Sequence, residues 1–211
     1  MKRLRTLEIT LERLEPVARP STSLEQYSTP APLAARLLYH AWLKGDIERR
    51  RVCDLGTGNG IFACGAALLG AEEVVAVDMD PASLAVAKRN AALMGVGLRF
   101  LLADVTSDET FSDMSFDTVV MNPPFGAQRR HADRAFIDRA LALARVIYTI
   151  ENAGSLRFLE AYTKGRAYID EVIRGDLTIP RMFTFHREER KEIPVEIVRM
   201  VVLPEDSHPG L

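Results

Sequence analysis

Leu4, Leu7, Leu11 and Leu14 recur at helical spacing, which predicts a short amphipathic helix ended by Pro16 and Pro20. Thr29 followed by Pro30 reads as a helix cap and first helical residue, opening a helix to about Leu43 that Gly45 closes. From there, short apolar runs alternate with helical patterns. Strands are predicted at Arg51–Asp54, Glu73–Asp78, Leu98–Leu102, Phe116–Met121 and Arg145–Ile150, and later near Ala167–Arg174 and Val195–Leu203. Helices are predicted between them at Asn59–Leu69, Pro81–Met94, Ala132–Ala144 and Ser155–Lys164. Alternation of this kind implies right-handed crossovers and a mostly parallel sheet covered by helices on both faces. Strands apolar on both sides fit that burial. Such sheets bind ligands beyond the carboxyl ends of their strands, where the strand order reverses.

Composition narrows the class. The 211 residues suit a single domain, and 47 % apolar with 27 % charged residues is ordinary for a soluble fold. No apolar run approaches the roughly 20 residues that span a bilayer, and the N-terminus lacks a signal-peptide core, so the expectation is a cytoplasmic protein with no membrane partner. Cys53 and Cys64 have no Cys or His neighbours at metal spacing; they read as reduced core residues, and no metal site is expected. A net charge of −2 argues against a surface that grips nucleic acid everywhere, though not against a local patch.

The chemistry concentrates at strand ends. Asp54-Leu55-Gly56-Thr57-Gly58-Asn59-Gly60 follows the first strand of the alternating series and opens a helix. Its glycines allow a tight turn and close approach of the backbone to a ligand. Two glycine frames are compatible with a dinucleotide fingerprint, with Ile61 or Ala63 in the sixth position. Asp54 tips the balance, because a carboxylate there repels a pyrophosphate but suits the amino group of a methionine moiety. Asp78 ends the next strand and can accept both hydroxyls of a ribose. Asp104 ends the third and can accept from an adenine amino group, although Asp is also a common turn residue there. Asp80, just before Pro81, is the better helix-cap candidate.

Asn122-Pro123-Pro124-Phe125 follows the fourth strand of the series. The prolines fix the chain direction and remove two donors while leaving their carbonyls free. The Asn122 side-chain oxygen and the Pro123 carbonyl can accept both hydrogens of an amino group, localising its lone pair toward an electrophilic methyl. Phe125 can stack on a flat substrate. A sulfonium methyl is already activated, so positioning and exclusion of water suffice, and no strong general base stands out. Arg129, Arg130 and His131 come directly after, with Arg134 one turn further; they can bind phosphates flanking an extruded base. Arg181, His186, Arg187, Arg190 and Lys191, between the last two strands, are candidates for an opposite wall.

These residues resemble class I S-adenosylmethionine-dependent methyltransferases that modify amino groups. The similarity is greatest to the archaeal and eukaryotic small-subunit ribosomal RNA adenine-N6 methyltransferases. It extends over nearly the whole chain and includes Glu25-Gln26-Tyr27-x-Thr29, the Asp54–Gly60 loop, Asp78-x-Asp80, Asn122–Gly126 and a late Phe185-His186. It implies a Rossmann-like α/β fold with a seven-stranded, mostly parallel sheet whose last strand is antiparallel. It implies one methyltransferase domain, with residues 1–45 a helical lid and 50–211 the catalytic core. It places Gln26 and Thr29 on the cofactor, Gly56, Asn59 and Ile61 on its methionine side, Asp78 on the ribose, and Asp104 and Val105 on the adenine. Several relatives have Cys where this chain has Thr57 and Asn59. Structured RNA is the implied substrate, and a small zinc-binding activator is implied at the edge strand Leu98–Leu102, where it would cover an exposed apolar edge.

Other readings share parts of the pattern. Protein-glutamine N5 methyltransferases carry the same Asn-Pro-Pro motif but usually add an N-terminal helical domain. DNA adenine enzymes usually add a target-recognition domain. A silent binding module would retain the fold, yet no motif residue is damaged. A nicotinamide oxidoreductase would leave the Pro-Pro motif without a role.

Overall fold

The structure is a computed structural model and describes residues 3–17, 29–124, 132–180 and 190–204. Seven strands form one sheet: β1 (Arg51–Leu55), β2 (Glu73–Asp78), β3 (Arg99–Leu102), β4 (Phe116–Met121), β5 (Ala144–Asn152), β6 (Ala167–Pro180) and β7 (Arg190–Val202). The helices are α1 (Leu4–Leu11), α2 (Ala31–Leu43), α3 (Ile61–Leu68), α4 (Pro81–Met94), α5 (Asp108–Phe111), α6 (Ala132–Leu143) and α7 (Leu156–Thr163). The strand order is β3-β2-β1-β4-β5-β7-β6. The pairs from β3 through β5 are parallel, whereas β7 runs antiparallel to both β5 and β6. The expected sheet is therefore present, with its antiparallel last strand inserted between β5 and β6. The order reverses between β1 and β4, beside the two motifs that carry chemistry.

Alternation along the strands builds two cores. Val52, Val74, Ala76, Val120, Tyr148 and Ile150 face α1 to α4, where Leu7, Leu11, Leu37, Leu38 and Phe62 pack. Cys53, Leu55, Val75, Val77, Val119, Met121 and Ile147 face α5 to α7, against Phe111, Ile137 and Leu159. Leu7, Leu11, Leu37 and Leu38 are at most 1 % exposed, and burying each contributes about 1.5–3 kcal/mol. α1 and α2 are thus a layer of the core itself. Among the described residues, the stretch expected to form a lid approaches the site through Glu15 and Thr29.

Local signals explain most boundaries. Asp80 caps α4 by accepting from the Ala82 and Ser83 N–H groups, and Gly95 closes it at φ 66°. The cap of α2 differs from expectation: Pro30, not Thr29, is the N-cap residue, and no side chain caps it. The Thr29 hydroxyl is engaged elsewhere. β6 and β7 run well past their predicted ends, so Arg190 and Lys191 belong to β7 rather than to a wall between strands. Arg181, His186 and Arg187 lie outside the described residues. Cys53 and Cys64 are free and buried, and burial raises both thiols. Among the described residues no group of His, Cys, Asp and Glu could hold a metal ion, and no helix is long and apolar enough to cross a membrane.

Candidate active site

Sheet register brings the motifs to one edge. Leu55 pairs with Val77 on one side and Met121 on the other, and Asp78 pairs with Leu102. The chain therefore leaves β1, β2, β3 and β4 at the same level, carrying Gly56, Met79, Ala103 and Asn122 into a common region. Met79 is 48 % exposed and Leu102 59 %, leaving apolar surface next to Asp78. Sequence reading passed over Met79, because a lone Met between two Asp residues carries no distinguishing pattern.

The Gly-rich turn is built from three left-handed residues, Gly56, Gly58 and Gly60, at φ 72°, 55° and 83°. The Gly56 and Thr57 N–H groups both donate to the Val77 carbonyl, at 2.9 and 2.8 Å. Gly60 is the N-cap of α3, and a Cβ on it would stand 3.0 Å from Ala87 Cβ, so this glycine permits α3 to pack on α4. Among the described residues, a Cβ on Gly58 would meet nothing within 4 Å, which leaves its backbone open to a ligand on that side.

Asp54 is fully buried. Its Oδ2 accepts from Thr57 Oγ1 at 2.6 Å and from the Ala63 N–H at 2.9 Å. Its Oδ1 is buried with no hydrogen-bond partner among the described residues. Burial pushes this carboxyl up to about 7, against the two hydrogen bonds. An orphaned acceptor of this kind is costly unless something completes it, and a cationic amino group would do so. Asp78 is raised as well, chiefly by burial. Its Oδ2 accepts from the Gly58 N–H and its Oδ1 from the Asp80 N–H, both at 2.9 Å. The Met79 N–H also bonds this carboxylate, and since a carboxylate has about four acceptor sites, capacity for a ribose hydroxyl remains.

Three expectations look different in three dimensions. Asn59 is buried, and its Nδ2 donates to the Glu15 carbonyl at 3.1 Å. Its carbonyl accepts from Asn90 Nδ2 at 2.8 Å. One contact ties the loop to the N-terminal segment and the other to α4, and both use the Asn59 Nδ2 and carbonyl only. Asn90, which sequence reading missed, is wholly buried and joins Asn59 to Glu15. Nothing in a helix sequence marks an Asn as the hub of a distant contact. Asp104 is exposed, and its Oδ1 closes a turn by accepting from the Thr106 N–H and hydroxyl. The Val105 carbonyl accepts from Arg139 Nε at 2.7 Å, while its side chain packs at the margin of the α5 to α7 core. Ile61 is 5 % exposed at the start of α3 and is a core residue.

Asn122 directly follows β4. Its Nδ2 donates to Thr29 Oγ1 at 2.9 Å, and its Oδ1 is buried without a partner among the described residues. Pro123 is buried and Pro124 half-buried beside it. One strand further, Glu151 lies near the end of β5, two residues beyond the Thr149 that pairs with Met121. Burial pushes Glu151 up to about 7, and its Oε1 accepts from Thr149 Oγ1. The Arg134 guanidinium lies 5.3 Å from the ring centres of both Phe158 and Tyr162, and its Nε has no hydrogen-bond partner among the described residues. Gln26, Phe125, Arg129, Arg130, His131 and His186 lie outside the described residues.

Comparison with known proteins agrees with this arrangement. The family described as methyltransferase small domain matches residues 33–165. An uncharacterized protein of Methanocaldococcus jannaschii is 36 % identical over 203 residues, 92 % of each chain. The rRNA N(6)-adenosine-methyltransferase of Danio rerio is 30 % identical over 205 residues, 93 % of this chain and 98 % of that one. A solved structure from Pyrococcus horikoshii, proposed to be an RNA methyltransferase, superposes with a TM-score of 0.88 at 36 % identity, covering 97 % of this chain and 100 % of that one. The strand order, the Gly-rich turn at its reversal and these similarities agree: the chain belongs to the methyltransferase small domain family.

Proposed function

We propose that this methyltransferase uses S-adenosylmethionine to methylate the exocyclic N6 amino group of an adenine in RNA, with small-subunit ribosomal RNA as substrate. The observation that carries the reading is the buried Asn122 Oδ1, which has no hydrogen-bond partner among the described residues and belongs to the residue that directly follows β4, beside the Gly-rich turn. The length-wide similarity to the Danio rerio enzyme supports the RNA substrate.

The residues fit the cofactor. Asp54 Oδ1 is an orphaned acceptor for a methionine amino group, Gly58 offers uncovered backbone, Asp78 a ribose acceptor, and Met79 and Leu102 apolar surface for a purine. Bound there, the cofactor supplies a methyl group on a positively charged sulfur. Asn122 Oδ1 and the Pro123 carbonyl accept the two N–H bonds of the target amine. That pairing withdraws its lone pair from the ring and directs it outward. Exclusion of water by the bound substrate would favour a reaction in which positive charge is dispersed. Phe125 would stack on the base, and Arg129, Arg130, His131 and His186 would contact RNA.

Among the described residues β3 lies at the end of the sheet, paired with β2, and exposes Leu102. This is where a small zinc-binding activator would add a strand. Hydrogen exchange of residues 96–102 should slow on mixing with such a partner; unchanged exchange would remove the activator from the reading. Cytoplasmic location remains part of the same proposal.

The deciding experiment supplies tritiated cofactor with small ribosomal subunits, free rRNA, DNA and a release factor, with and without the activator. Label in rRNA is expected, lost in Asn122→Ala while cofactor binding persists. Label in protein alone would favour glutamine methylation. Tight cofactor binding with no label anywhere would favour a silent module.

A further inference from the structure

Thr29 immediately precedes Pro30, the N-cap of α2, and is 8 % exposed, although nothing in the local helix uses its hydroxyl. That hydroxyl instead accepts from Asn122 Nδ2, 93 residues away. A side-chain amide is nearly symmetric in shape but opposite in character at its two ends, with two donors on nitrogen and an acceptor oxygen. The amide can therefore sit either way round in the same space. Only with oxygen outward can Asn122 accept from an incoming amine; turned over, it would set its own N–H groups against those of the target.

We propose that Thr29 is a positioning residue that holds the Asn122 amide by its nitrogen and so keeps Oδ1 turned toward the target amino group. This rests on the reading of Asn122 as the acceptor for that amine, and it gives Thr29 a role separate from the cofactor contact that family resemblance implies. Two features of the contact support it. The Thr29–Asn122 bond spans the two halves of the site, linking the approach to α2 with the end of β4. It also leaves as the orphan the one amide atom that the reaction needs. A threonine hydroxyl can donate as well as accept, so the polarity holds while the Thr29 proton is directed elsewhere. The branched side chain helps, because a residue with two heavy atoms on Cβ has few χ1 positions and holds its oxygen in place.

The test compares Thr29→Val, which keeps the shape and removes the hydroxyl, with Thr29→Ser, which restores it. Three quantities are read: kcat at saturating cofactor, the cofactor dissociation constant by calorimetry, and the Asn122 side-chain amide signals in 15N-labelled protein. Thr29→Val should lower kcat about tenfold, the loss expected for one positioned hydrogen bond. Its cofactor affinity should stay within about twofold, and the Asn122 amide protons should exchange faster. Thr29→Ser should recover most of the lost rate and the slow exchange. Weakened cofactor binding with kcat unchanged would make Thr29 a cofactor contact and overturn the proposal. So would rapid exchange of the Asn122 amide in the wild-type protein, a measurement that needs no variant to fold. An active Asn122→Ala would instead sink the reading of the site, whatever Thr29 does.

Discussion

Asn90 on α4 holds both backbone polar groups of Glu15: its Oδ1 accepts from the Glu15 N–H at 2.8 Å and its Nδ2 donates to the Glu15 carbonyl at 2.9 Å. The same nitrogen donates to the carbonyl of Asn59 in the Gly-rich turn. One buried amide therefore fastens the N-terminal segment to the turn. The Glu15 side chain also pairs with Arg89, but both partners are more than half exposed, and such pairs contribute little. Asn90→Ala should cost about 3 kcal/mol, by leaving several polar groups unpaired. That loss lowers the melting temperature by about 6–12 °C. Glu15→Ala should cost less than about 1 kcal/mol. Urea denaturation of both variants checks this, and comparable losses would mean that the ion pair, not the amide, anchors the segment.

With Asp54 as the proposed acceptor for the cofactor's amino group, cofactor binding and stability should respond oppositely to pH. Its folded pKa is raised by burial from 3.8 to about 7. Stability is therefore fullest below the ordinary carboxylate value and falls as pH rises through about 7, where the buried group ionises. A cationic amino group on Oδ1 favours the ionised form, so cofactor affinity should rise with pH up to about 7 and then level. Asp54→Asn should flatten both profiles, stabilise the unliganded protein above neutral pH and weaken cofactor binding. Asp78 is raised in the same direction, so the comparison is between variant and parent at each pH. An unchanged affinity profile in Asp54→Asn would remove Asp54 from the site.

Two glycines two residues apart should fail differently. Gly60→Ala forces a side chain into φ 83° and against Ala87, including its Cα at 3.2 Å. Left-handed strain and overpacking together should cost about 3 kcal/mol. Gly58→Ala meets no atom of the described residues within 4 Å and carries the conformational cost, about 1–2 kcal/mol. Its methyl enters the open space proposed for the cofactor, so its larger effect should be on binding. Denaturation midpoints and calorimetry separate the two; stronger cofactor loss in Gly60→Ala would reverse the assignment.

Arg199 completes a polar junction away from the site. Its Nε donates to Asp46 Oδ2 at 2.9 Å and its Nη1 to Asp170 Oδ2 at 2.7 Å, while the Tyr148 hydroxyl donates to the same Asp46 oxygen. The Arg199 and Asp46 side chains are each only 13 % exposed. Arg199→Ala should cost about 3 kcal/mol, because Asp46 keeps a buried charge without its partner. The double variant with Asp46→Asn should recover part of that loss. A double-mutant cycle checks this, and simple additivity would show that the pair is not coupled.

Much of this molecule was legible in its residue pattern. Valine-rich runs ending in Asp78 and Met121 mark strands buried on both faces, and their boundaries match the prediction residue for residue. Asp80 and Gly95 announce the ends of α4 because capping depends on a few neighbouring atoms. The Gly-rich turn and Asn122-Pro123-Pro124 likewise depend on local backbone freedom and on its removal. The four-residue α5 was not anticipated, since one turn leaves no periodicity to detect.

Residue types, periodicity and local turn chemistry therefore determined the order of elements, the parallel half of the sheet and the residues that gather at its edge. Tertiary structure alone decided which atoms of those residues remain available. Asn59 resembles a ligand contact until Glu15 and Asn90 take its polar groups, and Thr29 resembles a helix cap until Asn122 takes its hydroxyl. Asp54 and Asn122 each keep one buried oxygen unpaired among the described residues. The reason is physical: a hydrogen bond across 93 residues depends on how separate elements pack, and no spacing along the chain encodes it.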